Sequence, residues 1–456
     1  MVHQFQLNGY HIVIDVYSGA VHVVDALVYD IIGLYETANR EDLVSTLCDK
    51  YAGDTTKADV LEALSAVDAL KNAGKLFSPD TYKALAENLT TKKSVIKALC
   101  LHVSHTCNLA CAYCFAGAGR YHGASALMDF NVGKRAIDFL VEQSGTRRNL
   151  EVDFFGGEPL LNWDVVKQIV AYARSLEQVA GKNFRFTLTT NGVLIDDDVI
   201  DFCNREMHNV VLSLDGRKET HDRFRKSPDG GGSYDTVVPK FQRFVKERGN
   251  KNYYIRGTFT HDNTDFTEDI LHMAELGFSE LSMEPVVSKR GDAAALTEDD
   301  MPVLFEQYEA LACEMLRRDQ EGRGFTFYHF LLDLNGGPCI YKRISGCGAG
   351  TEYAAVTPEG TLYPCHQFVG EKDYVLGDIW RGVENDQKRE AFARCNAYTR
   401  EACQTCWARL YCSGGCAANA YHASGSIEGV YEEGCRLFKK RIECAVMMKV
   451  ARALGR

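Results

Sequence analysis

Cys107, Cys111 and Cys114 stand in the segment SHTCNLACAYCFAG as C-x3-C-x2-C. Thiolates are the usual ligands of iron–sulfur cubes, and three on one short loop can hold three irons of a [4Fe–4S] cluster. The fourth iron is then open to a substrate or cofactor. A zinc loop is the plainer alternative, but zinc usually takes a fourth protein ligand nearby, and this spacing supplies three. A second concentration lies downstream: Cys403-x2-Cys406-x5-Cys412-x3-Cys416, followed by Cys435 and preceded by Cys347-x17-Cys365. Of 17 cysteines, seven fall in residues 1–338 and ten in the last 118. An odd total without an export signal argues against a disulfide framework and for metal ligation. Zinc held by four thiolates is again the alternative. Cys48, Cys100, Cys203, Cys313, Cys395 and Cys444 fit no ligand spacing and read as small buried hydrophobes.

Regular structure must carry these loops. Strand-like runs occur at 98–104, 150–155, 184–190, 209–214, 253–260 and 280–287, with helical patterns between them at about 131–144, 162–180, 196–206, 237–249, 266–277 and 302–318. Six strand–helix units in succession predict a parallel sheet with right-handed crossovers, hence an α/β fold built on a partial, TIM-like (β/α)6 barrel. Chemistry in such barrels sits at the C-terminal ends of the strands. The first cysteine loop follows the first strand directly. Gly156-Gly157-Glu158-Pro159 ends the second, Thr190-Asn191-Gly192 the third, Ser213-Leu214-Asp215-Gly216 the fourth and Met283-Glu284-Pro285 the sixth.

Upstream, FQL, HIVIDV and VHVV read as strands with Tyr17-Ser18-Gly19 as punctuation, and helices follow at about 26–36, 40–51 and 57–73. A hairpin with three helices is a winged-helix pattern. DNA is a poor partner for it, because residues 1–80 carry five basic and twelve acidic side chains. A peptide added to an exposed hairpin edge suits it better. The expected division is therefore a recognition unit at 1–80, a polar linker at 81–97, the barrel at 98–320 and a Cys-rich unit at 321–456. That last unit reads as Gly-rich with little periodicity, so metal ligation is expected to hold it together. The whole chain, 456 residues with a net charge of −11, has ordinary globular proportions and no apolar run long enough to cross a membrane. Its first residues lack the pattern of a signal peptide, which predicts a cytoplasmic protein.

Over residues 98–318 the chain resembles the radical S-adenosylmethionine (radical SAM) enzymes, on its CxxxCxxC loop and GGEP sequence. The resemblance implies that Cys107, Cys111 and Cys114 hold the catalytic cluster and that Tyr113 meets the adenine of SAM. It further implies that Gly156, Gly157, Glu158 and Pro159 meet the methionine amino group, with the glycines letting backbone approach the ligand. Thr190, Asn191, Ser213 and Asp215 resemble positions that hold the ribose and the methionine carboxylate. Arg225 is a carboxylate partner by charge, with a surface arginine as the alternative. Met283-Glu284-Pro285 is placed beside the adenine or in ordinary packing. The implied chemistry is reductive cleavage of SAM to a 5′-deoxyadenosyl radical, which takes hydrogen from an unactivated carbon.

The C-terminal cysteines resemble a SPASM domain with two auxiliary clusters, making three [4Fe–4S] clusters in all. The family pattern assigns Cys403, Cys406, Cys412 and Cys435 to an outer cluster and Cys347, Cys365 and Cys416 to an inner one. Cys339 is the candidate fourth inner ligand, with an iron open to a substrate thiolate as the alternative. The whole arrangement most resembles the SCIFF (six cysteines in forty-five) maturases, carried at the N-terminus by VHQFQLNGYHIVIDVYSGAVHVVD. The resemblance implies a thioether-forming maturase of a Cys-rich ribosomal precursor, of the sactipeptide/ranthipeptide kind. It also implies a leader peptide bound at the N-terminal unit, a flavodoxin- or ferredoxin-like electron donor, and an oxygen-sensitive protein from an anaerobe. Sulfatase-maturing and carbon–carbon cross-linking SPASM enzymes are the alternatives. The sulfatase reading is weakened by Cys365-His366, where that family has an aspartate after the cysteine. A non-catalytic iron–sulfur or zinc scaffold that binds peptide is the reading of another class.

Overall fold

The computed structural model describes residues 1–91, 94–121, 123–288, 291–334 and 338–455. The chain opens with β1 (Val2–Leu7), β2 (Tyr10–Asp15) and β3 (Val21–Val24), then α1 (Ala26–Leu34), α2 (Arg40–Lys50) and α3 (Lys57–Asn72). The strands form one antiparallel sheet in the order β1-β2-β3. Asn8 and Gly9 both take positive φ, 50° and 77°. Such a two-residue turn matches the twist of a hairpin, and Asn-Gly tolerates it at little cost. Each helix has a side-chain cap, from Asp25, Asn39 and Thr56 in turn. Val13, Ile31, Leu47, Val60, Leu64 and Val67 close a small core of their own. β1 is covered by the rest of the chain, whereas β3 is an edge with Val23 exposed.

Part of the stretch read as linker is helical, as α4 (Lys83–Thr91). Ala86 and Leu89 join Val16, Ile344 and Leu410 in a separate apolar cluster, so packing overrides the polar composition.

The barrel follows the predicted alternation. Its elements are β4 (Ala98–Ser104), α5 (Phe130–Gln143), β5 (Asn149–Gly156), α6 (Trp163–Ala180), β6 (Asn183–Thr190), α7 (Asp197–Glu206) and β7 (Met207–Ser213). They continue with α8 (Lys218–Phe224), α9 (Tyr234–Arg248), β8 (Tyr253–Phe259), α10 (Phe266–Glu275), β9 (Glu280–Pro285) and α11 (Met301–Gln320). β4 to β9 are parallel and in sequence order. Leu99, Val152, Phe186, Val210, Ile255 and Leu281 fill the layer between strands and helices.

The last part is more ordered than its composition predicts. It contains β10 (Thr326–Phe327), α12 (Ile340–Ser345), β11 (Tyr353–Val356), β12 (Thr361–Tyr363), β13 (Gly377–Asp378), β14 (Gly382–Val383), α13 (Asp386–Arg394), α14 (Glu401–Gln404), α15 (Arg409–Cys412), α16 (Ala417–Ser424) and α17 (Glu432–Ala453). β11 pairs parallel with β4, so the barrel sheet runs on into this unit, and Lys97 pairs with Glu352 across the junction. The expectation that this stretch buries little apolar area is wrong for α17. Leu437, Ile442, Val446, Met447 and Met448 are buried there in the main core. Between Leu437 and Met448 the apolar residues are interleaved with KKR and ECA, which hides the helical stripe.

Candidate active site and auxiliary cysteine sets

The cysteine loop leaves the end of β4 and is pinned from the far side of the barrel mouth. Ala110 N–H donates to Lys226 O at 2.7 Å and Ala112 N–H to Phe224 O at 2.9 Å. Tyr113 O–H donates to Asp215 Oδ2 at 2.6 Å. Arg225 forks onto the same carboxylate, Nε to Oδ2 at 2.9 Å and Nη2 to Oδ1 at 3.1 Å. Thr258 N–H adds a fourth donor at 3.0 Å. Asp215 is wholly buried and the Arg225 side chain only 11% exposed, so Arg225 is no surface residue. Asp215, expected to meet SAM, spends its carboxylate on tying the loop to β7 and β8. Arg225 also lies beside the Cys111 thiol, where it opposes a burial effect that lifts that thiol to about 11.

The glycines also let two backbone segments meet. A Cβ on Gly156 would sit 2.2 Å from Ser104 O, and one on Gly157 2.1 Å from Thr106 O. Backbone meets backbone here: Gly157 N–H donates to Ser104 O at 2.7 Å and Glu158 N–H to Thr106 O at 2.9 Å. The end of β5 is thereby locked to the start of the cysteine loop. Glu158 is buried and its carboxylate is already engaged. Oε1 accepts from Leu160 N–H and Thr190 O–H, and Oε2 from Asn191 N–H, at 3.1, 2.8 and 2.8 Å. Burial pushes its pKa up to about 7 against those donors. Pro159 starts a short buried turn, Pro159–Asn162. Asn191 turns its amide toward Asn108 Oδ1 at 2.7 Å and toward Cys107 Sγ at 3.6 Å. Leu109 N–H also points at Cys107 Sγ, at 3.4 Å. Donors of this kind around a sulfur suit a cluster ligand. Ser213 is half-buried at the end of β7, in register with Arg256 of β8.

Cys107, Cys111 and Cys114 are half-buried; the charges of Cys111 and Cys114 raise the Cys107 thiol, and that of Cys114 raises Cys111. Burial is the larger effect and lifts Cys107 to about 12. Downstream, the charges that bear most on Cys365 are those of Cys416 and Cys347. Cys412 is influenced by Cys435, Cys403 and Cys406. These mutual influences run among the cysteines that the family pattern groups together. Cys339 is exposed at the start of α12 and is not among the main influences on Cys365. Among the described residues no three Cys, His, Asp or Glu side chains converge tightly enough to grip a single metal ion. The donor chemistry fits cubes: thiols in sets of three, three and four, with backbone N–H groups at Cys107, Cys365 and Cys416. Cys347 and Cys416 of the inner set and Cys412 and Cys435 of the outer set line one cavity of about 590 Å³, with Glu284 and Arg441 at its barrel side.

Two family descriptions match the chain, the Radical SAM superfamily over residues 101–276 and the SPASM iron–sulfur cluster-binding domain over residues 347–407. The chain is a radical SAM enzyme with a SPASM domain. Among its relatives is the radical SAM cyclopropyl synthase TigE of Paramaledivibacter caminithermalis, 22% identical over 75% of this chain and 72% of TigE. Its fold is similar to that of anSMEcpe, solved with AdoMet and the Kp18Cys peptide, with TM-score 0.64 and 22% identity, covering 79% of this chain and 99% of that one. It is also similar to SuiB of Streptococcus suis bound to S-adenosylmethionine, with TM-score 0.53 and 16% identity, covering 95% of this chain and 98% of that one. A match over 95% of the chain must include most of β1 to α3. SAM and iron–sulfur clusters are thus the cofactors of the enzyme. No helix among the described residues is long and apolar enough to cross a membrane.

The sequence reading missed several residues in the barrel. His102 and His105 are buried at the end of β4, with Nδ1 and Nε2 3.1 Å apart. Tyr121 donates to Gly156 O at 3.1 Å and lies where Cys107, Cys114 and Cys365 all act on it. His329, Arg441 and Glu284 form a buried polar group below the cavity, with His329 Nδ1 3.1 Å from Arg441 Nη1. An arginine only donates, so His329 carries its proton on Nε2 and gives it to Ser282 Oγ at 3.1 Å. Histidine within a strand and charge in a barrel interior are the signals that mark such positions.

Proposed function

We propose that this radical SAM/SPASM maturase of peptides or proteins forms thioether cross-links in a Cys-rich ribosomal precursor. The observation that carries the reading is the inner cysteine set. The charges of Cys416 and Cys347 bear on Cys365, and that of Cys347 on Cys416, whereas Cys339 is not among the main influences on either. Three protein thiolates leave one iron of a cube for a thiolate of the substrate. Metal coordination deprotonates a thiol and fixes its position, which replaces a costly encounter with a held one.

In this reading Cys107, Cys111 and Cys114 hold the catalytic cluster, and Cys403, Cys406, Cys412 and Cys435 hold the outer one. SAM reduced at the catalytic cluster supplies the radical that takes hydrogen from an unactivated carbon of the peptide. The protein's own part is placement. Asp215 and Arg225 fix the cysteine loop, Glu158 fixes the Thr190–Asn191 turn, and Tyr113 and Ser213 border the nucleoside. His366 lies at the inner set and stays neutral, lowered to about 4 by burial and by Arg256. Closing the bond would remove one hydrogen atom from carbon, one proton from sulfur and one electron, for which a cluster held by Cys347, Cys365 and Cys416 would be the acceptor. The leader joins the free edge of β3 as a further strand, since β1 is covered. An electron donor of the flavodoxin or ferredoxin kind starts each turnover.

The test is anaerobic reconstitution with iron, sulfide, SAM, dithionite and the Cys-rich peptide encoded beside the gene. The expected product is lighter by two hydrogens per cross-link, resists thiol alkylation and accompanies 5′-deoxyadenosine. A product that keeps every alkylatable thiol refutes the thioether reading. A chain that releases no 5′-deoxyadenosine is a scaffold.

A further inference from the structure

Arg256 interrupts the strand YYIRGTF. Tyr253, Ile255, Gly257 and Phe259 are buried on one face, and Tyr254, Arg256 and Thr258 share the other. That other face looks into the barrel, since Ile255 and Phe259 of the opposite face pack in the main core, and the register sets Arg256 between Ser213 and Ser282. Arg256 is exposed there, and its guanidinium has no hydrogen bond or ion pair among the described residues.

Its charge is nonetheless felt on three sides, by Glu284 of β9, by His329 and by His366 beside Cys365. These groups do not neutralise it. Arg441 already stands 3.9 Å from Glu284 and 3.1 Å from His329 Nδ1. Neither His329 nor His366 can supply a negative charge. Two arginines thus face one carboxylate, which leaves one positive charge unmatched. A substrate that covers Arg256 without offering it an acceptor would bury a bare charge at high cost. A cavity lined by Glu284, which feels the charge of Arg256, and by Arg441 runs to Cys347 and Cys416 of the inner cysteine set.

We propose that Arg256 is a substrate-positioning residue that grips an oxygen of the precursor's core, either a main-chain carbonyl or an acidic side chain, and holds that core between β8 and the inner set. The inference rests on the peptide-maturase reading and extends it to one residue. A guanidinium suits the task because two parallel N–H groups fix direction as well as distance.

The test uses Arg256→Met and Arg256→Lys in the fully reconstituted enzyme with SAM. The probes are the Cys-rich peptide encoded beside the gene, its leader alone and its leaderless core. Affinity is read without turnover, so the mass of the wild-type product judges the thioether reading separately. For Arg256→Met the core affinity is expected to fall about tenfold to a hundredfold, the range of a lost charge-assisted hydrogen bond. Leader affinity and iron content stay as in the wild type, and Arg256→Lys recovers part of the loss. Replacing acidic core residues by their amides, one at a time, separates the two oxygens. One amide that abolishes the Arg256 dependence identifies a carboxylate, and none identifies the main chain. Unchanged core affinity in Arg256→Met overturns the proposal. So does unchanged affinity with an altered cluster spectrum, which would make Arg256 a counter-charge to the inner cluster.

Discussion

Replacing Asp215 by Asn should loosen the cysteine loop more than any other single change at the barrel mouth. The carboxylate takes four donors, Tyr113 O–H, Arg225 Nε and Nη2, and Thr258 N–H, at 2.6 to 3.1 Å, and is wholly buried. An asparagine offers one oxygen. Its amide nitrogen must face either Tyr113 and Arg225 Nε or Arg225 Nη2 and Thr258; the Tyr113 hydroxyl can turn to accept from it, but at least one Arg225 N–H is left pointing at a donor. Breaking a buried ion pair from one side costs about 3–5 kcal/mol. At about 1.4 kcal/mol per tenfold, even the low end is more than a hundredfold in a local opening equilibrium. The assay is amide hydrogen exchange at Ala110 and Ala112, whose N–H groups bond to Lys226 and Phe224 on the segment that Arg225 anchors. Protection there should fall by that factor, while the helices on the far side of the barrel keep theirs. Asp215→Asn combined with Arg225→Leu should be milder than Asp215→Asn alone, because no guanidinium is then stranded. Exchange within about threefold of wild type in Asp215→Asn, or a double variant worse than the single, would refute the network as the anchor of the loop.

Glu158 gives the chain a pH dependence. Its folded pKa is raised from 4.5 to about 7, so between those values the folded chain keeps a proton that the unfolded chain has lost. The Glu158 contribution is therefore fullest below pH 4.5 and falls by about 3 kcal/mol as pH rises through 7; denaturant midpoints from pH 5 to 8 should show a slope in wild type that is reduced in Glu158→Gln, where Asp153, also raised to about 7, keeps a part of it. Cys339→Ala should keep its full iron, whereas Cys347→Ala should lose about four irons per chain, as one cube; colorimetric iron against protein decides, and loss in Cys339→Ala would mark a fully ligated inner cluster. At the edge proposed for the leader, Asp15 N–H bonds to Ala20 O, which sets Val13 opposite His22 as the next bonded pair and turns the N–H of Val23 outward. Val23→Pro should then leave the β2–β3 ladder intact yet weaken leader binding about threefold to tenfold, read by fluorescence anisotropy, the worth of one backbone hydrogen bond. Unchanged affinity would place the leader elsewhere. Cys403→Ala together with Cys406→Ala should raise amide exchange in β1, through the contacts of Trp407 and Arg409.

The barrel was legible because its signals are local. Each strand of β4 to β9 is a short β-branched or aromatic run between amphipathic helices, and the structure places each within about two residues of its expected span. The cysteine sets were legible because ligand spacing on a loop is local too. What the sequence hid depends on partners far away in the chain. Asp215 reads as a ligand contact until Tyr113, Arg225 and Thr258 converge on it from 102, 10 and 43 residues away. Gly156 and Gly157 read as a cradle for a ligand, yet the atoms that forbid a Cβ belong to Ser104 and Thr106. The pairing of β11 with β4 joins residues some 255 apart, and no period in either strand announces it. The helix α4 lies in a polar stretch and exists for the few side chains that meet Ile344 and Leu410.

The N-terminal unit and the outer cysteine set share one joint. His3 on β1 stacks flat on Trp407, ring centres 3.8 Å apart and 5° from parallel, and its Nε2 lies 2.9 Å from Glu443. Trp407 directly follows Cys406. Arg409, three residues before Cys412, donates to Tyr17 O–H at 2.8 Å, Asp80 Oδ2 at 2.5 Å and Gln404 O at 2.9 Å, while Tyr398 O–H holds Asp80 Oδ1 at 2.9 Å. Arg409 is 5% exposed, and a pair that dry is favourable only while its whole hydrogen-bond set keeps its geometry. That geometry belongs to a loop of α14, α15 and the turn between them, which is too short to hold a shape by packing alone. Cysteines at both ends of the loop tie it down once they share a cluster. The outer set then does more than stand in an electron path. In the proposed reading it makes rigid the face on which β1 is seated, and so fixes the direction of the opposite edge, β3, where the leader would add.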